Sequence, residues 1–247
     1  MKILTYNIWD SPAGMPDREA QIRNTLSAMQ ADVLCLQEVP DSRTLNAISS
    51  ACGCSNACFH QKAGVAVLTN LCISVRWFHA YAAAAVIRSE THTVQIVSVH
   101  LPWKNAAERE NAIVQILRQT VQTPAAYTIL AGDFNCSDTS DVHRFLTGDC
   151  SLAGNDAYCF DLALSRQART GEVPAATLDF RHNPRWGVYE PENTIELPVR
   201  FDRIYLANPY PAVLPVLKNF GTFGTVISTE TGLCPSDHYG VYADLQF

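Results

Sequence analysis

Several stretches of this chain are apolar at successive positions for the length of one strand and then stop on a polar residue. ADVLCLQE (31–38), AGVAVLT (63–69), HTVQIVSVHL (92–101) and AYTILAGDFN (126–135) are the clearest. A strand with one wet face alternates apolar and polar residues, whereas a strand buried on both faces reads as a continuous apolar run. A chain with several such runs needs sheets covered on each side.

The remaining pattern supplies the cover. Residues 2–7 (KILTYN) read as a first strand. Residues 17–30 place Ile22, Leu26 and Met29 on one helical stripe, and 42–51 also reads as helix. Residues 105–121 form the clearest helix: Asn105 and Glu108 make a capping-box signature, Ile113, Ile116, Leu117 and Val121 line one face, and Pro124 follows its end. A short helix is predicted near 139–147. Further strands are predicted at 72–78, 80–89, 199–207 (VRFDRIYLA), 212–220 (AVLPVLKNF) and 239–246, with SETH (89–92) as a hairpin turn. The stretch after residue 51 reads as a cysteine-rich loop and 150–198 as irregular. Hairpins together with strand–helix–strand crossovers imply mixed sheets in a layered α/β (α+β) fold.

Among 247 residues, 47% are hydrophobic and 17% charged, and no linker or repeat interrupts them, which predicts one domain over 1–247. The net charge of −6 weighs against a non-specific grip on long nucleic acid, which needs a basic surface. MKILTYNIWD lacks the apolar core of a secretory leader, and no run is long enough for a membrane helix. Nine cysteines, with Cys52, Cys54 and Cys58 in ACGCSNAC, lack the paired knuckles of a zinc site; His60 is the nearest fourth ligand. Free thiols in a reducing cytoplasm are the expectation, with no obligate protein partner evident.

The polar residues that end the runs are chemically alike. Asn7 ends the first strand, Gln37 and Glu38 the second, and His100 the VQIVSVH strand. Asp133 and Asn135 follow TILAG, two apart in an extended segment and so able to point the same way, with Gly132 allowing a turn. Asp237 and His238 precede the last strand. Asp202 lies inside an apolar strand, where a carboxylate needs a partner; His238 is the proposed one. Each residue alone has a bland reading as a turn former or a satisfied core group. As a set they imply one mouth lined by acids, amides and imidazoles.

The ordered pieces LTYNIW, LCLQEV, SVHL, LAGDFN, RFDRIYL and PSDH resemble the Mg²⁺-dependent endonuclease/exonuclease/phosphatase superfamily, nearest in motif to its tyrosyl-DNA phosphodiesterase 2-like and sphingomyelinase-like branches. The resemblance covers nearly the whole chain. It implies a four-layer sandwich of two stacked mixed β-sheets flanked by helices, with the site at one end. It implies Glu38 as the main metal carboxylate, with Asn7 and Asp237 beside the metal and Mg²⁺ as cofactor, Mn²⁺ substituting. It implies Asp133 as the group that orients or deprotonates the attacking water, Asn135 as its helper, and His238, paired with Asp202, on the phosphoryl oxygens. His100 takes the position where these branches carry histidine. Trp9 stands where abasic-site endonucleases carry an acid, with Asp10 one step later, and Trp103 where they carry an asparagine. TLDFRHNPRW (177–186) resembles the tyrosyl-DNA phosphodiesterase 2 branch, and Arg181, Arg185 and Trp186 are candidate substrate contacts that clamp a phosphate and stack on a base or aryl group.

This reading makes the protein a metal-dependent phosphoesterase acting on a nucleic-acid end, a lipid headgroup or a small phosphate ester. In-line displacement at phosphorus calls for positioning and electrostatic stabilisation, which a carboxylate-held divalent cation, an acid near the water and a cationic imidazole supply. Two alternatives remain open on sequence: a Ser236–His238–Asp acyl hydrolase, and a binding module that kept the fold without catalysis.

Overall fold

A computed structural model describes residues 1–247 apart from 90, 91 and 189. Two six-stranded mixed sheets stack face to face. The first has the order β11-β12-β1-β2-β4-β3 and contains β1 (Lys2–Asn7), β2 (Val33–Gln37), β3 (Asn56–His60), β4 (Val65–Thr69), β11 (Val216–Phe223) and β12 (Gly240–Gln246). The second has the order β5-β6-β7-β8-β10-β9, built from β5 (Cys72–His79), β6 (Ala82–Arg88), β7 (Thr93–His100), β8 (Tyr127–Asp133), β9 (Cys159–Asp161) and β10 (Asp202–Ala207). The helices are α1 (Asp17–Ala28), α2 (Ser42–Cys52), α3 (Ala106–Val121), α4 (Asp141–Thr147) and α5 (Leu162–Thr170).

The continuous apolar runs are explained by the period of two. In β2, Val33 and Cys35 enter the core between the sheets, while Leu34 and Leu36 pack outward with Ile22, Leu26, Leu45 and Ile48 of α1 and α2. In β8, Ile129 and Ala131 face inward and Leu130 faces outward toward Ile113, Ile116 and Phe145 of α3 and α4. Both faces are dry, so both positions are apolar, and four layers follow: helices, sheet, sheet, helices.

Each sheet contains one parallel pair joined by a helix. α1 connects β1 to β2, and α3 connects β7 to β8. Their registers bring Asn7 opposite Gln37 and His100 opposite Asp133 at the carboxyl ends. β10 runs antiparallel to β8, pairing Asp202 with Asp133. Under this edge Gln37 ties the sheets together: its amide nitrogen donates to Ser98 Oγ at 3.0 Å, and its oxygen accepts from Thr5 Oγ1 at 3.1 Å. All three residues are buried.

Several expectations are corrected. The cysteine-rich stretch contains β3, which pairs with β4. Cys58 turns into the inter-sheet core, whereas Cys52 and Cys54 pack on the helix side of the same sheet, so the three thiols do not converge on one ion. All nine cysteines are free thiols. The segment read as irregular contains β9 and α5, whose N-terminus is capped by Asp161 accepting from Ala163 N at 2.9 Å. β11 starts after Pro215, which has no N–H to give to a sheet. β10 starts at Asp202, so this acid sits at the strand end and not inside the strand. The β6–β7 hairpin is present, but positions 90 and 91 of its predicted turn lie outside the described residues. In α3, Asn105 caps through Glu108 N at 3.2 Å, but the Glu108 carboxylate accepts from Tyr81 O–H and does not complete the box.

Candidate active site

The carboxyl ends of β1, β2, β7 and β8 open into a cleft of about 670 Å³. Asn7 links its floor. The Asn7 amide nitrogen donates to Glu38 Oε1 at 3.0 Å and to Asp133 Oδ2 at 3.1 Å, and its oxygen accepts from Trp9 N at 3.0 Å. Glu38 adopts φ +57°, an uncommon left-handed backbone for a non-glycine residue, and its second oxygen accepts from Asp10 N at 2.8 Å. His100 Nε2 lies 3.9 Å from Glu38 Oε1 and 3.7 Å from Asp133 Oδ2.

Asp133 is buried, and Asp202 opposite it is buried completely. Asp202 Oδ2 is 2.9 Å from His238 Nδ1, and both Phe201 N and Asp202 N donate to Thr177 Oγ1. That pairing leaves His238 Nε2 directed at Asp133 Oδ2, 3.9 Å away. Burial lowers the His238 pKa, but the charge and hydrogen bond of Asp202, reinforced by Asp133 and Asp237, outweigh it and bring it up to about 10. Burial likewise raises the Asp202 pKa against the pull of His238. The pair therefore holds its proton tightly, and the carboxylates of Asp202, Asp133 and Asp237 place it on the imidazole.

Asp133, Asp202 and His238 offer donor atoms within 4.8 Å of one another. With His238 Nδ1 committed to Asp202, this trio reads as a proton-holding relay. Glu38 and Asp237 line the same cleft and are a second carboxylate set able to hold a cation. The Asp237 carboxyl is pushed up by burial and by the Glu38 charge, against His238. An Asp237 carboxyl raised in this way, beside Glu38 at one open cleft, suits a hard divalent cation with few protein ligands.

Among the sequence-expected residues, Asn7, Glu38, His100, Asp133, Asn135, Asp202, Asp237 and His238 all gather at this end. Asp133 and Asn135 both line the cleft, but the expectation that they do so from an extended segment is corrected. Asn135 has φ +49°; its N–H folds back to Asp133 Oδ1 at 2.8 Å and its amide donates to Leu101 O at 2.8 Å. Gly132 makes no turn. It is glycine because a Cβ there would lie 1.9 Å from Val99 O of β7. Trp186 lines the cleft, its ring nitrogen donating to Asp237 O at 3.0 Å. Arg181 and Arg185 do not line it: Arg185 Nε donates to Cys234 O at 2.7 Å and its guanidinium lies 5.7 Å from the Trp9 ring. Ser236 is fully buried and donates to Asn7 O at 2.8 Å, so its hydroxyl is structural and the acyl-hydrolase arrangement is not formed.

From sequence Trp9 and Trp103 stand out only as departures from the abasic-site endonucleases, and the apolar walls as such are not foreseen. Trp9, Trp103, Leu178, Phe180 and Phe201 face the cleft with Glu196. Leu178 and Phe180 lie in a connection whose β-bridges, Leu178 with Val199 and with His238, form only after folding. No lysine or arginine lines this cleft among the described residues.

The model of the Endonuclease/Exonuclease/phosphatase family matches residues 4–238. Among solved structures, a humanized D. rerio TDP2 carrying 14 mutations aligns with a TM-score of 0.79 at 17% identity, covering 100% of this chain and 99% of that one. D. rerio TDP2 complexed with single strand DNA product gives 0.73 at 16% identity, covering 100% and 99%. SmcL gives 0.70 at 15% identity, again covering 100% and 99%. No curated protein matches by sequence. No helix among the described residues is long and apolar enough to cross a membrane.

Proposed function

The chain belongs to the endonuclease/exonuclease/phosphatase family, and from that premise we propose that it is a divalent-metal-dependent phosphodiester hydrolase that acts on the end of a substrate chain. The observation that carries the reading is the meeting of Asn7, Glu38, His100, Asp133 and the Asp202–His238 pair at one cleft, brought together from both sheets. A nucleic-acid end is the first candidate, because D. rerio TDP2 is seen with a single strand DNA product. The aromatic walls favour stacking on a terminal base or aryl group, and their lack of lysine and arginine disfavours a long duplex.

Glu38 and Asp237 would hold Mg²⁺ or Mn²⁺, which when bound offsets charge on the phosphoryl group and leaving oxygen. Asp133, fixed by the Asn7 amide and the Asn135 N–H, accepts a proton from water. His238, cationic and oriented by Asp202, donates to a non-bridging oxygen. Asn7 keeps Glu38 and Asp133 apart but aligned. Thr177 holds the strand end that carries Asp202.

The test is a panel of nucleic-acid ends, choline phosphodiesters and phosphomonoesters with Mg²⁺ or Mn²⁺, comparing wild type with Asp133→Asn. Turnover by wild type, abolished by chelator and by the substitution, is the expected result. An Asp133→Asn protein as active as wild type overturns the assignment.

A further inference from the structure

Arg18 is the first-turn residue of α1, and it is fully buried although nothing in the amphipathic pattern calls for a charge there. Among the described residues no carboxylate forms an ion pair with it. Instead its Nη1 donates to Ile8 O at 2.9 Å and Trp9 O at 3.0 Å, and its Nη2 donates to Ser11 O. The guanidinium also lies 4.9 Å from the Trp9 ring centre, and Arg185 approaches the same ring. One cation thus collects three carbonyls within four residues of the β1–α1 loop and packs on its aromatic side chain. Trp9 is held at φ +60°, a backbone that a bulky residue adopts only when its surroundings impose it.

The loop's amides point the other way. Trp9 N–H donates to Asn7 Oδ1, and Asp10 N–H donates to Glu38 Oε2. The first bond decides which end of the Asn7 amide faces Glu38 and Asp133. The second fixes one oxygen of the carboxylate that also sits at φ +57°. The Ile8 carbonyl and the Trp9 N–H belong to one planar trans peptide, as do the Trp9 carbonyl and the Asp10 N–H, and the two ends of such a unit point opposite ways, so carbonyls drawn to Arg18 leave these amides presented to the site.

Resting on the proposed phosphoesterase reading, we infer that Arg18 is a positioning residue: by gathering the Ile8, Trp9 and Ser11 carbonyls it sets the two backbone N–H groups that orient Asn7 and Glu38 for the divalent cation. Lysine cannot replace it. A single ammonium point donor keeps the charge but lacks the planar fork that reaches several carbonyls at once.

The experiment measures Mn²⁺ binding by electron paramagnetic resonance without substrate, alongside Tm and kcat. Arg203 is an equally buried arginine whose partners are Cys136 and Asp138, away from the cleft, and Arg203→Lys is the comparator. Arg18→Lys is expected to weaken Mn²⁺ binding about 10- to 100-fold, the range for a lost outer-shell partner, with kcat falling in parallel. Arg203→Lys is expected to lower Tm while Mn²⁺ affinity stays within about twofold, since the sites share no partners. Asp10 is exposed, and Asp10→Pro deletes the N–H that Glu38 accepts, so it is expected to weaken Mn²⁺ binding in the same direction. If Arg18→Lys fails to fold, Asp10→Pro decides. Folded Arg18→Lys or Asp10→Pro with wild-type Mn²⁺ affinity overturns the inference. Wild type that binds Mn²⁺ yet hydrolyses no ester overturns the functional reading and leaves the positioning role standing.

Discussion

β10 carries a buried polar network on each of its faces, and the two are built to opposite rules. On the inner face Asp202 joins His238, Asp133, Asn7, Glu38 and Asp237 at the cleft. On the outer face Arg203 and Tyr205 join Arg200, Asp138, Asp161 and His143. The outer network is balanced. Arg200 contacts Asp161 at 2.8 Å and Asp138 at 2.9 Å, Arg203 contacts Asp138 at 2.8 Å, and His143 donates to or accepts from Tyr205 at 2.7 Å. The inner network has four carboxylates, Glu38, Asp133, Asp202 and Asp237, against two imidazoles. A closed network of matched charges holds chain segments together. One with surplus acid at an open mouth stores a demand for a cation, which is what a reaction centre for phosphate esters needs.

The sharpest way to break this contrast is Asp133→Asn. It is expected to cost about 10²- to 10⁴-fold in kcat, as for loss of a general base, while Tm stays close to wild type. Phosphodiester turnover and thermal unfolding check both halves. The mirror experiment is Asp161→Ala. It removes the buried one of Arg200's two carboxylate partners and uncaps α5, and breaking a buried pair costs about 3–5 kcal/mol of stability. Denaturant unfolding should show that loss, with kcat of the folded protein little changed. A fall in kcat as large as that of Asp133→Asn would dissolve the distinction.

The histidines sharpen it further, because they titrate with opposite sign. His238 is raised to about 10, so its stabilisation is fully present below the unfolded value of 6.5 and is lost as pH climbs through about 10. His143 is lowered by burial and by Arg203, against Asp161 and Asp138. Its contribution is present above 6.5 and is lost as pH falls below that toward the lowered value. Tm measured against pH should therefore decline on both sides. Asp202→Asn should flatten the alkaline limb, and His143→Gln the acid limb. The smallest effect is at Asp237. Relief of its repulsion with Glu38 by Asp237→Asn is expected to raise the metal-free Tm by about 1–4 °C, on the scale of a ΔΔG below about 1 kcal/mol, and to shrink the Tm gain on adding Mg²⁺.

The unevenness of what could be read in advance has a physical cause. Residues 31–38 and 126–135 announced strands because a two-sided core requires apolar residues at both parities. Asn7, Glu38, His100 and Asp133 announced themselves by ending such runs. β3 and α5 did not: β3 mixes Asn56, Cys58 and His60 at a sheet edge, and α5 has few apolar positions and depends on Asp161 for its start. Arg181 and Arg185 looked like substrate contacts because sequence shows a charge but not its direction. Arg185 is spent on Cys234 O and Trp9.

Continuous apolar runs and the polar residues that end them, both local properties, determined the strands, the layers and the set of polar residues available for chemistry. Which of those residues meet was decided only by tertiary structure. Asn7 reaches Asp133 across 126 positions, and Asp202 reaches His238 across 36. Those meetings depend on sheet stacking, pairing register and the left-handed turns at Trp9, Glu38 and Asn135. Such turns cost conformational energy that only the surrounding contacts offset, and those contacts come from parts of the chain that no local pattern connects.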